Sequence, residues 1–133
     1  MLPIQTILHP TDFSKPSDYA LQVARALARD QVARLIILHV VSATLAVEKE
    51  GFGEQLDEEL RRLPKPDAAT GEEHRLVEGD PATEILRIAQ DTNSDLIVMG
   101  THGRSGLGRL LMGSVAEQVV RKASCPVLTV KAS

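Results

Sequence analysis

The chain predicts an α/β fold: a parallel sheet with helices on both faces. Three observations carry that expectation. Short β-rich apolar runs alternate with helical apolar stripes along all 133 residues. The run Arg34–Val41 is almost continuously apolar, as is Asp95–Met99, and such runs mark strands covered on both faces rather than half-exposed ones. The helical stripes are set off by capping residues, prolines or glycines at their boundaries.

The elements follow in order. Ile4 to His9 is a short strand bounded by Pro10. Ala20, Val23, Ala24 and Leu27 stand at i, i+3, i+4 and i+7, the stripe of an amphipathic helix, with Ser14 as N-cap and Pro16 in the first turn. Arg34–Val41 is the next strand, and residues 42–50 read as loop. Phe52, Leu56, Leu60 and Leu63 line one side of a further helix that Pro64 and Pro66 end. Glu73 to Glu78 alternates weakly and is read as a strand. Asp80 then caps a helix with Pro81 at its first position and Ala82, Ile85, Leu86 and Ala89 on its apolar face. The strand Asp95–Met99 ends at Gly100. After a glycine-rich stretch, Ser114-Val115-Ala116-Glu117 reads as a capping box, the serine capping and the glutamate reaching back. Ala116, Val119, Val120 and Ala123 form the last stripe, and Pro126 to Val130 the last strand. The order β-α-β-α-β-α-β-α-β, without linker, low-complexity tract or internal repeat, makes residues 1–133 a single domain with right-handed crossovers.

Composition narrows the function. Eighteen acidic against fifteen basic residues leave a net charge of −3, which argues against a nucleic-acid coat, and three aromatic residues offer no stacking platform for bases. No apolar run approaches the roughly 20 residues of a membrane helix. The first residues, Met1-Leu2-Pro3-Ile4-Gln5, do not read as a signal peptide. One cysteine, Cys125, excludes an internal disulfide and suits a reducing cytoplasm.

In doubly wound sheets ligands bind beyond the carboxyl ends of the strands, where strand order reverses. That singles out Pro10-Thr11-Asp12, His39-Val40-Val41 and the loop after Met99. The loop, Gly100-Thr101-His102-Gly103-Arg104-Ser105-Gly106-Leu107-Gly108-Arg109-Leu110-Leu111-Met112-Gly113-Ser114, leaves a buried strand and enters a helix. Glycines let backbone N–H groups approach a ligand, and a helix N-terminus offers unpaired donors and positive dipole charge. Arg104 and Arg109 add cations, so the stretch suits phosphate. Three standard motifs fail. A Walker loop would need lysine after Gly108, a dinucleotide fingerprint starting at Gly106 would need glycine at 111, and a nucleophile elbow at Ser105 would need glycine at 107.

The spacing Gly100-x2-Gly103-x9-Gly113-Ser114 resembles the signature of the ATP-binding branch of the universal stress protein family. The resemblance runs through Ile7–Ser14, Leu38–Val41, Gly79–Ala82 and Asp95–Val130, and is weakest over 42–70. It implies a five-stranded sheet of order 3-2-1-4-5 with ATP at the switch between its first and fourth strands, accompanied by Mg2+ or Mn2+. It implies that Asp12 meets the ribose or adenine end, with Pro10 and Thr11 also among the nucleotide-binding residues, and that Val40 holds adenine through its backbone. Gly100, Gly103, Gly113 and Ser114 would hold phosphates, with Met99, Arg104 and Val115 nearby. It further implies a homodimer, and the last strand, 126–130, at an apolar sheet edge, is the expected seam. His9 departs from the pattern, which has an apolar residue before Pro-Thr-Asp.

Each candidate has a plainer role beside it. Asp12 and Ser114 are also helix caps, the loop glycines also turn residues, and Arg104 and Arg109 also solvated charges. His9, His39 and His102 fall near strand ends, where with Asp12 they are conceivable metal ligands; without a ligand spacing each is read as a satisfied or half-exposed histidine. His74 has no evident partner, and Cys125 is read as a buried, inert thiol. No residue reads as a general base aligned with a γ-phosphate, so the expectation is a nucleotide-dependent regulatory protein with at most slow ATP hydrolysis. Two alternatives are a nucleotide-free interaction module and an adenylating enzyme. The latter would carry Ser-Gly-Gly-x-Asp-Ser after the first strand, where this chain has Pro10-Thr11-Asp12-Phe13-Ser14.

Overall fold

The computed structural model describes residues 3–12, 14–41, 71–101 and 113–131. They form β1 (Thr6–Pro10), α1 (Lys15–Gln31), β2 (Arg34–Val41), β3 (Glu72–Glu78), α2 (Pro81–Asp91), β4 (Leu96–Gly100), α3 (Ser114–Lys122) and β5 (Val127–Val130). The five strands pair in parallel in the order β3-β2-β1-β4-β5. The expected helix over Phe52–Leu63 lies outside the described residues.

The apolar runs become the inner strands because both their faces are covered. Alternate residues of β1 and β2 point to opposite sides. Ile7, Leu35 and Ile37 pack with Ala20, Leu21, Ala24 and Ala28 of α1. Leu8, Ile36 and Leu38 pack on the other side with Ala82, Ile85 and Ile88 of α2 and Ala116 and Val119 of α3. β3, at the edge, is the charged strand, and Leu76 on it is exposed. Val120, expected in the last apolar stripe, is also exposed (43%), because the narrow face of α3 is filled by Ala116 and Val119.

Local chemistry sets the helix starts. Ser14 Oγ accepts the Ser17 N–H at 3.3 Å and Pro16 sits in the first turn of α1. Asp80 Oδ2 accepts the N–H and the hydroxyl of Thr83, and Pro81 is the first helical residue of α2. Asp95 Oδ2 accepts the N–H groups of Gln5 and Thr6 at 2.9 and 3.0 Å, tying the entry of β1 to that of β4.

One buried ion pair joins α1 to the edge strand. Arg25 donates from Nε and Nη2 to the two carboxylate oxygens of Glu72 at 2.6 and 3.0 Å, with side chains only 8% and 3% exposed. His74 stands 3.8 Å from the same carboxylate, which supplies the partner that the sequence reading did not find. A paired buried charge is tolerated and a widowed one is not. Arg25→Met should therefore lower stability by about 3–5 kcal/mol, whereas Arg25→Met combined with Glu72→Leu should recover most of the loss. Urea unfolding of the two variants checks this, and equal losses would mean that the arginine stem, not its charge, is what matters.

Candidate functional site

Strand order reverses between β1 and β4: the chain leaves β1 toward β2 and returns on the other side of β1 as β4. A crevice at that point is expected of any doubly wound sheet. What opens it here is a missing donor. Leu8 is the last residue of β1 in register with β4, opposite Ile97. The Ile97 N–H turns the other way, to the carbonyl of Pro126, so the Val98 carbonyl faces β1. In a parallel ladder of this register the next donor to that carbonyl is the N–H of residue 10. Residue 10 is proline and has none. Beyond Leu8 the two strands therefore stop pairing, while on the other side β1 stays zipped to β2 through Pro10 opposite Leu38 and the Thr11 N–H to the Leu38 carbonyl at 2.8 Å.

His9 fills the vacancy. Its Nδ1 lies 2.8 Å from the Val98 carbonyl oxygen and donates to it, which places the proton of the neutral ring on Nδ1. The side chain is fully buried, and its Nε2 has no hydrogen-bond partner. This corrects the expectation of a satisfied or half-exposed histidine: one nitrogen is satisfied, the other is not. Burial holds the imidazole at about 4, with Arg25 adding to the effect, against the opposing pull of the Val98 hydrogen bond and of Asp12.

The resulting cleft has a volume of about 280 Å3. Of the residues singled out in the sequence, Pro10, Thr11, Asp12, Val40, Met99, Gly100, Gly113, Ser114 and Val115 line it. Gly103, Arg104, Arg109 and His102 lie outside the described residues. Ser17, Leu38, Pro81, Ile85, Thr101 and Ala116 line it as well and were not singled out. Ser17 carried a readable signal, since the helix that Ser14 caps begins beside Asp12. Its hydroxyl donates to Thr11 Oγ1 at 2.7 Å, a buried pair in the wall. Ile85 was legible as core, and only the tertiary structure shows that its face also reaches the cleft.

The walls are mostly apolar, and Asp12 is the one ionisable side chain among the described lining residues. Asp12 also accepts the Ser14 N–H on Oδ1 at 3.0 Å, so its local turn role and its place in the cleft coexist. Burial and the charge of Asp12 together raise the carboxyl of Asp18 in the first turn of α1. His39, half-buried as expected, places Nδ1 2.9 Å from the Thr11 carbonyl. Burial pushes the Cys125 thiol up, in line with an unreactive cysteine. Among the described residues no group of three His, Cys, Asp or Glu is placed to hold a metal ion.

The capping box at Ser114 does not form. Gly113 is the N-cap, extended at φ −60° and ψ 154°, and its carbonyl accepts the Glu117 N–H. The Gly113 N–H is held by the Thr101 carbonyl at 2.7 Å, so the exit of β4 fixes where α3 begins and Ser114 is already helical. Glu117 instead pairs with Arg121 at 2.8 Å. The first N–H groups of a helix lack partners within it. Here they belong to Ser114, Val115 and Ala116, all of which line the cleft. Gly100 is closely packed: a Cβ there would sit 3.3 Å from the backbone carbonyl of Pro16.

A doubly wound α/β sheet with a cleft at its switch point and a helix N-terminus opening into that cleft defines the class. Residues 3–131 match the universal stress protein family, and the chain belongs to it. It is 39% identical to the universal stress protein MJ0531 of Methanocaldococcus jannaschii, over 94% of this chain and 81% of the relative. It is 38% identical to a universal stress protein of Thermus aquaticus, over 96% and 98% of the two chains. Among solved structures, MJ0577, also from M. jannaschii, superposes with a TM-score of 0.78 at 33% identity over 99% of both chains. A universal stress protein in complex with cAMP superposes with a TM-score of 0.75 at 32% identity, over 99% of this chain and 100% of that one.

The buried histidine ties stability to pH. Its value in the folded chain lies below the 6.5 of a solvated imidazole, so the unfolded chain binds more protons. The contribution is complete above pH 6.5 and is lost as pH falls from there toward 4. Urea unfolding should show the wild type losing about 2 kcal/mol more than His9→Asn between about pH 7 and pH 5. Parallel losses in the two proteins would sink this assignment.

Proposed function

We propose that this chain is an ATP-binding regulatory protein of the cytoplasm, acting as a homodimer and hydrolysing ATP slowly at most. The observation that carries this reading is the coincidence of the cleft with residues to which the family resemblance gives nucleotide contacts, Gly100, Gly113 and Ser114 of the signature among them. Pro10, Thr11, Asp12, Val40, Met99, Gly100, Gly113, Ser114 and Val115 converge on one crevice although they come from four places in the chain. The cAMP complex of a relative 32% identical supports an adenine nucleotide as the ligand class.

The chemistry of the walls suits the parts of ATP. Leu38, Val40, Pro81, Ile85 and Met99 give apolar surface for a base, whose edge the Val40 backbone would read. Asp12 suits ribose hydroxyls, which a carboxylate accepts from, and would repel phosphate. The N–H groups at the start of α3 suit the phosphate end. Gly103 and Arg104, with their loop, complete the phosphate site in this reading. A divalent cation, Mg2+ or Mn2+, would arrive on the triphosphate and neutralise it. Asp12 is the one ionisable side chain among the described residues of the cleft, and one of its carboxylate oxygens already accepts the Ser14 N–H. That favours binding and conformational signalling over turnover. The whole chain, residues 1–133, acts as a single domain in this reading. The dimer is assigned to β5, a sheet edge in the strand order, where Leu128 is 39% exposed.

Calorimetric titration of nucleotide-stripped protein with Mg-ATP tests the reading. Binding at about one site per chain in the micromolar range, near −8 kcal/mol, is expected; no heat at several temperatures would leave the nucleotide-free interaction module as the better account. Gly113→Val tests the phosphate end, since the backbone of Gly113 is one that valine adopts without strain. It should weaken ATP by at least about tenfold, or 1.4 kcal/mol, and leave adenosine nearly unchanged, whereas equal losses would indicate damage to the fold. Leu128→Lys should turn the dimer into monomers in sedimentation; an intact dimer would place the seam elsewhere.

A further inference from the structure

His9 does not line the cleft, yet it stands at the root of both walls. Pro10 follows it on one wall, and Val98, whose carbonyl it holds, precedes Met99 on the other. Among the described residues no register pair joins β1 to β4 beyond Leu8. The ring is wholly enclosed and its Nε2 faces no donor. An unpartnered nitrogen in so closed a place is stable only while it carries no proton. We propose that His9 is a proton-operated latch on the crevice: the neutral ring ties β1 to β4 and holds the cleft in its ligand-ready shape, and protonation expels the ring and lets the two strand ends part.

A proton added at Nε2 creates a buried cation whose new N–H has no acceptor. The ring reaches water only by leaving its site, and leaving withdraws Nδ1 from the Val98 carbonyl. No other group of β1 replaces it, because residue 10 has no N–H. The surrounding charges do not rescue the buried cation. On α1, Arg25 opposes it and is itself committed to Glu72 of β3. Asp12, at the end of β1, favours it, and Asp18 on α1 stands within the influence of Asp12. On β2, His39 lies on the same face of the sheet, two residues beyond Ile37, the register partner of His9. β4 and β5, Leu96–Gly100 and Val127–Val130, carry no titratable side chain. Burial outweighs the attraction of Asp12 and holds the imidazole at about 4, so acid pulls on a ring that is neutral while seated.

The latch is tested on the full chain without ligand, by amide exchange corrected for intrinsic chemical rates. The amides of Leu8 and Val98, which face one another's strand at the last register pair, report the crevice, and Leu35 to Ile37 in the middle of β2 serve as the internal reference. Between about pH 7 and pH 5 the protection of the crevice amides, relative to the reference, should fall at least about tenfold in the wild type. His9→Asn should hold its protection, because the carboxamide nitrogen takes the place of Nδ1 and does not titrate. His9→Leu leaves the Val98 carbonyl without a donor at every pH and should show loosened crevice amides already at neutral pH. The latch is overturned if His9→Asn loosens with acid as the wild type does, or if His9→Leu is as protected as the wild type at neutral pH; should the leucine variant fail to fold, the asparagine variant decides alone.

The consequence for ligand rests on the nucleotide reading and is separable from it. Mg-ATP affinity should fall at least about fivefold more in the wild type than in His9→Asn over the same pH interval. The comparison between the two proteins cancels the titration of the ATP phosphates themselves. Failure of the wild type to bind at neutral pH would overturn the nucleotide reading and leave the exchange experiment to judge the latch. Binding with identical acid losses in both proteins would overturn the coupling of the latch to ligand.

Discussion

The absent N–H of Pro10 is the constraint on which the crevice depends. A central strand normally bonds to both neighbours along its length, and β1 is the central strand of this sheet. With proline at its end, β1 keeps its ladder to β2 and loses it to β4. Loss of that single bond is worth only about 1 kcal/mol in itself, whereas a buried carbonyl left without any donor costs about 1–3 kcal/mol. The fold meets the second cost with His9 and leaves the first unmet. The strands part there, and every described cleft residue lies at or beside the parting.

The two faces of the sheet divide the remaining work. On one, α1 packs small residues, Ala20, Ala24 and Ala28, against Ile7, Leu35 and Ile37, and so brings its first turn close to the end of β4. The proximity of Gly100 to Pro16 is the result, and Ser17 enters the wall of the cleft. On the other face α2 and α3 lie side by side, and each brings its beginning to the cleft, Pro81 and Ile85 from one and Gly113 to Ala116 from the other. The Thr101–Gly113 hydrogen bond links β4 directly to the start of α3, so the dipole end of that helix is placed by the strand and not by its own cap.

Most of this was legible in residues whose neighbours in sequence decide their state. Arg34–Val41 is a buried strand because its own run is apolar, and Ser14, Asp80 and Pro81 act on amides within three residues of themselves. What escaped depends on distant partners. α1 ends at Val32 in the left-handed conformation, φ 52° and ψ 49°, with no glycine to announce it. The Val32 N–H donates to the Ala28 and Arg29 carbonyls and the Ala33 N–H to that of Ala28, so backbone bonds hold the turn while the Val32 side chain stays exposed. Ser114 matches a capping box in spacing, yet the contact across 12 residues between Thr101 and Gly113 moves the cap one residue earlier. Glu72 stands just before the strand read over Glu73 to Glu78, and it proves to be buried against Arg25, 47 positions away. The cleft was more legible than these, because the switch-point rule locates it by strand order alone. Its unforeseen members, such as Ile85 and Thr101, are ordinary core or loop residues until the helices are in place.

The charge distribution in the cleft then bears on how it recognises anything. Its described walls hold one ionisable side chain, Asp12, and otherwise apolar surface, hydroxyls and backbone. Recognition through backbone groups is set by shape and direction, since peptide dipoles neither titrate nor swing on flexible stems. Pro10, by interrupting the β1–β4 ladder, and His9, by holding the Val98 carbonyl, set the shape of this crevice without carrying a charge into it.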